Sequence, residues 1–65
     1  TMLLKEAINA LHELNKQVFY LKHIYQMSAI EISKELNMTE PMVRKRSMQS
    51  MQFVKNYVKE AMKDE

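Results

Sequence analysis

Cysteine and glycine are both absent from this 65-residue chain, and proline occurs once, at Pro41. Without cysteine there is no disulfide, no thiolate nucleophile and no thiolate metal ligand. The two histidines, His12 and His23, lie apart in the chain with no carboxylate cluster beside them, so no metal site is expected. An all-β domain needs turn residues at every hairpin, and a chain without glycine cannot supply them; an all-α fold is the expectation. The longest uninterrupted apolar run, Val18 to Leu21, is far short of the roughly 20 residues of a membrane span. No secretory signal pattern is visible, and cysteine-free composition fits a reducing cytoplasm, the expected location. Catalysis has no footing: there is no Gly-rich phosphate loop and no meaningfully spaced Ser/His/Asp set. Neither an enzyme nor a cofactor binder is expected.

What the chain does have is a globular balance, 46% hydrophobic and 28% charged residues, in place of the polar excess of disordered segments. A domain this small buries only roughly 60% of its unfolded surface, which leaves room for one core. The sequence opens on Thr1 and not on an initiator methionine, so a fragment of a longer protein is expected.

Leu4, Ala7, Ile8, Leu11 and Leu14 repeat at the spacing of one helical face. From Gln17 to Met27 two stripes overlap, Val18/Leu21/Tyr25 and Tyr20/Ile24/Met27, as in a central helix packed on more than one side. No strong breaker lies between Met2 and Gln26, so periodicity alone leaves open one long helix or two. The next start is clearer. Ser28 with Glu31 three residues on is a capping box, each side chain accepting a backbone N–H that the helix start leaves unpaired. That short helix turns Ala29, Ile32, Ser33 and Leu36 inward. Asn37 tolerates the left-handed conformation that ends a helix. Thr39 can cap the next, and Pro41 falls in its first turn, where an N–H is not needed. This last helix is expected from Glu40 to about Met62, with Val43, Met51, Val54, Val58 and Met62 on its slowly drifting apolar face.

A short capped helix, a three-residue turn and a longer helix form a helix-turn-helix, whose second helix can enter a DNA major groove. The charge agrees: between positions 40 and 59, Arg44, Lys45, Arg46, Lys55 and Lys59 stand against one acid, Glu40. That charge sits chiefly in Arg44, Lys45 and Arg46, whose guanidinium and ammonium groups can grip phosphates or guanine edges. Lys22 and His23 lie on the polar arc of the preceding helix and are secondary phosphate candidates, although a solvated face is the plainer reading.

The series Leu11, Val18-Phe19-x-Leu21, Met27-Ser28-x-x-Glu31-Ile32, Leu36-Asn37-Met38-Thr39 and Val43-Arg44 resembles region 4 of bacterial sigma factors, especially the extracytoplasmic-function group. The ending Met51-Gln52-Phe53-Val54-Lys55-Asn56-Tyr57-Val58 is similar to the tail of its FecI-like members. The resemblance implies a four-helix domain without a wing that binds double-stranded promoter DNA at the upstream (minus thirty-five) element. It also implies docking on the flap of the RNA polymerase β subunit, with an anti-sigma factor as a possible further partner. A first break near Asn9 to His12 is implied too, because relatives usually begin the second helix with proline where His12 stands. Carried over by position, Met42, Arg44, Lys45, Met48 and Gln49 would face the groove, with Thr39 and Glu40 near the DNA backbone.

The chain departs from the pattern at Met42, where relatives usually have threonine, at Gln49, usually basic, and at Ser47, usually apolar. Pro41 and Ser33 replace small residues, and Gln26 stands where many have glycine. If left-handed, Gln26 costs roughly 1–2 kcal/mol. Of the seven methionines, Met27, Met38 and Met51 fall on core-facing positions. Ile30 does not, and with Met42 or Met48 it could offer a protein-contact patch. Two other readings stay open: an interaction module of the same shape without base readout, and a GerE/LuxR-like output domain. The latter shares Ser-x-x-Glu-Ile but usually carries a Thr-x-Arg-Glu start that Leu14-Asn15-Lys16-Gln17 does not reproduce.

Overall fold

The computed structural model describes residues 2–63. It contains four α-helices, α1 (Met2–Asn9), α2 (Glu13–Phe19), α3 (Ala29–Leu36) and α4 (Glu40–Met62), and no strand among the described residues. Helix α2 runs on without interruption into a π-helical turn, Tyr20–Ile24.

The undecided first break falls at Ala10 to His12. Ala10 N–H donates to the Glu6 and Ala7 carbonyls at 3.1 and 3.2 Å, and Leu11 N–H to Ile8 at 3.1 Å, tightening the last turn. His12 then leaves the helix at φ −55° and ψ 146°, and its Nδ1 accepts the Leu14 N–H at 3.4 Å. A histidine thus caps this start. Leu11, in the corner itself, is buried.

The later starts follow the local chemistry. Ser28 Oγ accepts the Glu31 N–H at 3.1 Å while Glu31 Oε1 accepts the Ser28 N–H at 2.8 Å. Thr39 Oγ1 accepts the Met42 N–H at 3.4 Å, with Pro41 in the first turn. Between them Asn37 is left-handed, φ 54°, and the Met38 N–H reaches back to the Ser33 carbonyl at 2.9 Å, the wide bond of a Schellman closure.

Two hydrophobic clusters share α2 and α4. Ala7, Ile8, Leu11, Phe19 and Val54 form one, flanked by Met51, Tyr57 and Val58. Val18, Ala29, Ile32 and Val43 form the other, flanked by Leu21, Met27, Leu36 and Met38. The periodicity reading needs correction at three places. Leu4 is exposed and Leu14 belongs to α2, so the five-residue stripe is no single face; the corner at Leu11 redirects the chain. Tyr20, Ile24 and Tyr25 are exposed, because α1, α3 and α4 cover one side of α2 and nothing described covers the other. Met62 is exposed, since α4 outruns the helices that would bury it.

The end of α2 has its own geometry. Tyr25 N–H bonds the Tyr20 carbonyl at 3.0 Å and Met27 N–H bonds the Leu21 carbonyl at 2.9 Å. This closure is one residue wider than that of α3, and it holds Gln26 left-handed at φ 56°. Leu21 and Met27 both return to the second cluster.

Two predictions follow from these helix ends. Gln26→Gly removes a left-handed cost of roughly 1–2 kcal/mol, offset in part by the larger unfolded entropy of glycine. The melting temperature should therefore rise by several degrees; no rise would mean the α2 end is unstrained. Hydrogen bonding from the Ser28 backbone N–H, then from the Ser28 side chain, holds the Glu31 carboxyl below its ordinary value of 4.5, assisted by Lys34. A carboxylate with a depressed folded pKa stabilises above the ordinary value and loses that contribution as pH falls through the folded one. Glu31→Gln should therefore narrow the gap between melting temperatures at about pH 7 and about pH 3. An unaltered gap would show that the box carries no acid sensitivity.

Candidate nucleic-acid interface

Burial of Val43, Ser50 and Val54 sets the rotation of α4, and at 3.6 residues per turn it turns Met42, Arg44, Lys45, Met48, Gln49, Gln52 and Lys55 to solvent. Two hollows divide this outward side. A groove of about 490 Å³ runs between α4 and the π-turn, with Arg44, Met48, Gln52 and Lys55 on one wall and Lys22 and His23 on the other; no carboxylate lines it. On the opposite flank Met42, Lys45, Arg46 and Gln49 line a smaller hollow of about 290 Å³. Ile30 is 52% exposed on α3 and lines neither.

The expected interface residues therefore have different surroundings. Thr39 is engaged as the α4 cap. The Glu40 carboxylate, one turn back, pairs with the Arg44 guanidinium. The Arg44 side chain is 68% exposed, so this pair contributes only about 0.2–1 kcal/mol and chiefly orients the arginine. Lys45, Met48 and Gln49 are free at the surface. Arg46 is half-buried, and its Nη1 donates to Asn15 Oδ1 on α2 at 3.1 Å. The His23 ring lies against Phe19, centroids 4.8 Å apart. Burial lowers its pKa below 6.5 and the Lys22 charge lowers it further, so a neutral imidazole and not a cation lines the groove at pH 7.

Sequence reasoning missed two groove residues, Gln52 and Lys55. The signal was present: both continue the Arg44/Met48 face at helical spacing. The buried hydroxyl of Ser50, fully inaccessible, was also missed, because serine at one position of a long helix carries no local mark of burial.

A family model described as sigma-70, region 4 matches residues 1–54. The chain belongs to this family. It is accordingly a DNA-binding domain of transcription initiation. No match to a curated protein or to a solved structure was found. The sigma-70 region 4 match spans α1 through the middle of α4 and takes in both hollows except Lys55. No helix among the described residues is long and apolar enough to cross a membrane.

Proposed function

We propose that this domain reads the upstream (minus thirty-five) promoter element with the first half of α4 in the major groove, and docks on the flap of the RNA polymerase β subunit. The observation that carries the reading is the acid-free basic groove beside the capped start of α4. Lys22, Arg44, Lys45 and Lys55 would meet phosphates, with neutral His23 as a hydrogen-bonding partner. Met42, Met48 and Gln49 would lie over base edges, with Thr39 and Glu40 near the backbone at the helix start. Gln49 suits adenine, whose N6 and N7 an amide meets in two places, and methionine suits the thymine methyl. A contact over A·T pairs is therefore favoured. The promoter-bound role places the protein in the cytoplasm.

Docking on polymerase needs a surface that remains free when α4 is on DNA. Tyr20, Leu21, Tyr25 and Leu36, rimmed by Glu13 and Glu35, line a groove to which α4 contributes nothing, and Tyr25 is 70% exposed. We assign polymerase contact to this surface, and an anti-sigma factor would compete for it. Ile30 offers a smaller apolar contact outside both hollows.

Four neutralised phosphates predict a log–log salt slope near −4 and a loss of about a hundredfold in affinity between about 50 and 200 mM salt. A flat slope on every promoter duplex would instead favour an interaction module without DNA readout. Gln49→Arg should change the preferred base at one position in sites selected from a randomised duplex library; identical selections would mean that Gln49 points away from the bases. Tyr25→Lys should weaken capture of an isolated β flap at least tenfold and leave DNA affinity unchanged. Unaltered capture would move the docking surface elsewhere.

A further inference from the structure

Arg46 carries a charge that its position beside Arg44 and Lys45 would assign to DNA, yet its guanidinium is turned to a different partner. Asn15, in the first turn of α2, receives α4 twice. Its side-chain Oδ1 accepts from Arg46 Nη1 at 3.1 Å, and its backbone carbonyl lies 3.1 Å from the Ser50 hydroxyl. The same hydroxyl lies 2.7 Å from the Arg46 carbonyl, one turn back on α4. Ser50 is wholly buried, and no buried side-chain polar atom among the described residues lacks a partner.

We propose that Arg46 is a positioning residue that acts through Asn15, setting the rotation of α4 and so aiming Met42, Met48 and Gln49 at the bases. The inference rests on the promoter-reading role proposed above. Its physical basis is directionality. Contact between apolar faces is non-directional, and Val43 and Val54 alone would let α4 roll or slide on α2. Hydrogen bonds weaken steeply when misaligned. The Arg46 bond to Asn15 Oδ1 and the longer arm of the Ser50 hydroxyl, whose single proton is shared with the nearer Arg46 carbonyl, come from residues one turn apart on the same face and converge on a single residue of α2, favouring one rotation and axial register. Ser50 adds a steric condition: its small side chain permits the helices to approach closely where any larger residue would separate them. A rolled α4 would still carry every positive charge, so phosphate attraction would survive while alignment with base edges would not.

The test measures binding of the whole chain to its selected promoter duplex and to a scrambled duplex across a salt series. Arg46→Met, Asn15→Ala and the double substitution are compared. Asn15→Ala removes the acceptor and leaves every charge in place. Each single substitution should reduce the preference for the selected duplex about tenfold, the double should be no worse than either, and the salt slope of Arg46→Met should match that of the wild type. Asn15→Asp, which offers Arg46 a carboxylate, should retain the wild-type preference. This rescue, with a melting curve for each variant, separates loss of aim from loss of folding. If Arg46→Met lowers the slope by about 0.9, the increment of one phosphate, while Asn15→Ala keeps full preference, Arg46 is a DNA ligand and the proposal is overturned. A wild-type protein with no preference for any duplex would overturn the promoter reading itself. Intact wild-type preference that Asn15→Ala leaves untouched would overturn only the positioning role.

Discussion

The packing of α2 across the middle of α4 is the contact on which the rest of this small structure depends. Val18 and Phe19 are neighbours in sequence, yet each enters a different hydrophobic cluster, and Val43 and Val54 receive them at separate points along α4. Helix α1 closes over one cluster and α3 over the other. Neither cluster is large enough to stand alone in a chain of this length, so the two are stable only because α2 and α4 run through both. Between them lies the polar seam of Asn15, Arg46 and Ser50, which exchanges some apolar burial for a defined helix register.

That contact also divides the surface. Because α4 is buried on one side along its first four turns, its basic side chains collect on the outer side, where Lys22 from the π-turn joins them across a groove free of carboxylates. The exposed side chains of Tyr20, in the π-turn, and Tyr25, just after it, fall on another groove, bordered by α2 and α3. The proposed role, with DNA and a protein partner held together, uses such a separation: charge screened by salt serves the one, and non-directional apolar burial serves the other.

The wide closure at the end of α2 connects the fold to both surfaces. One added residue in the turn sends Leu21 and Met27 back to the core while Lys22 and His23 line one groove and Tyr25 the other. The cost is a glutamine held at φ 56°, a conformation that glycine adopts without penalty. Strain is thus concentrated at the junction between α2 and the helix-turn-helix, next to a side chain proposed to touch phosphate.

The all-helical class, the α3 and α4 starts, the left-handed Asn37 and the family itself were all legible in the residues. Caps and closures join groups three to six positions apart, so Ser28, Glu31, Asn37 and Thr39 determine them wherever the helix later packs. The basic run Arg44, Lys45 and Arg46 after a capped start is likewise a local pattern, legible as a run. Only the tertiary structure decided which stripe of α2 is covered, that Ser50 is sealed inside, that Gln52 and Lys55 share a groove with Lys22, and that Arg46 turns to Asn15. Those outcomes depend on partners on other helices, 31 and 35 positions away for Arg46 and Ser50, and a helical period records which residues share a face but not which face meets another helix.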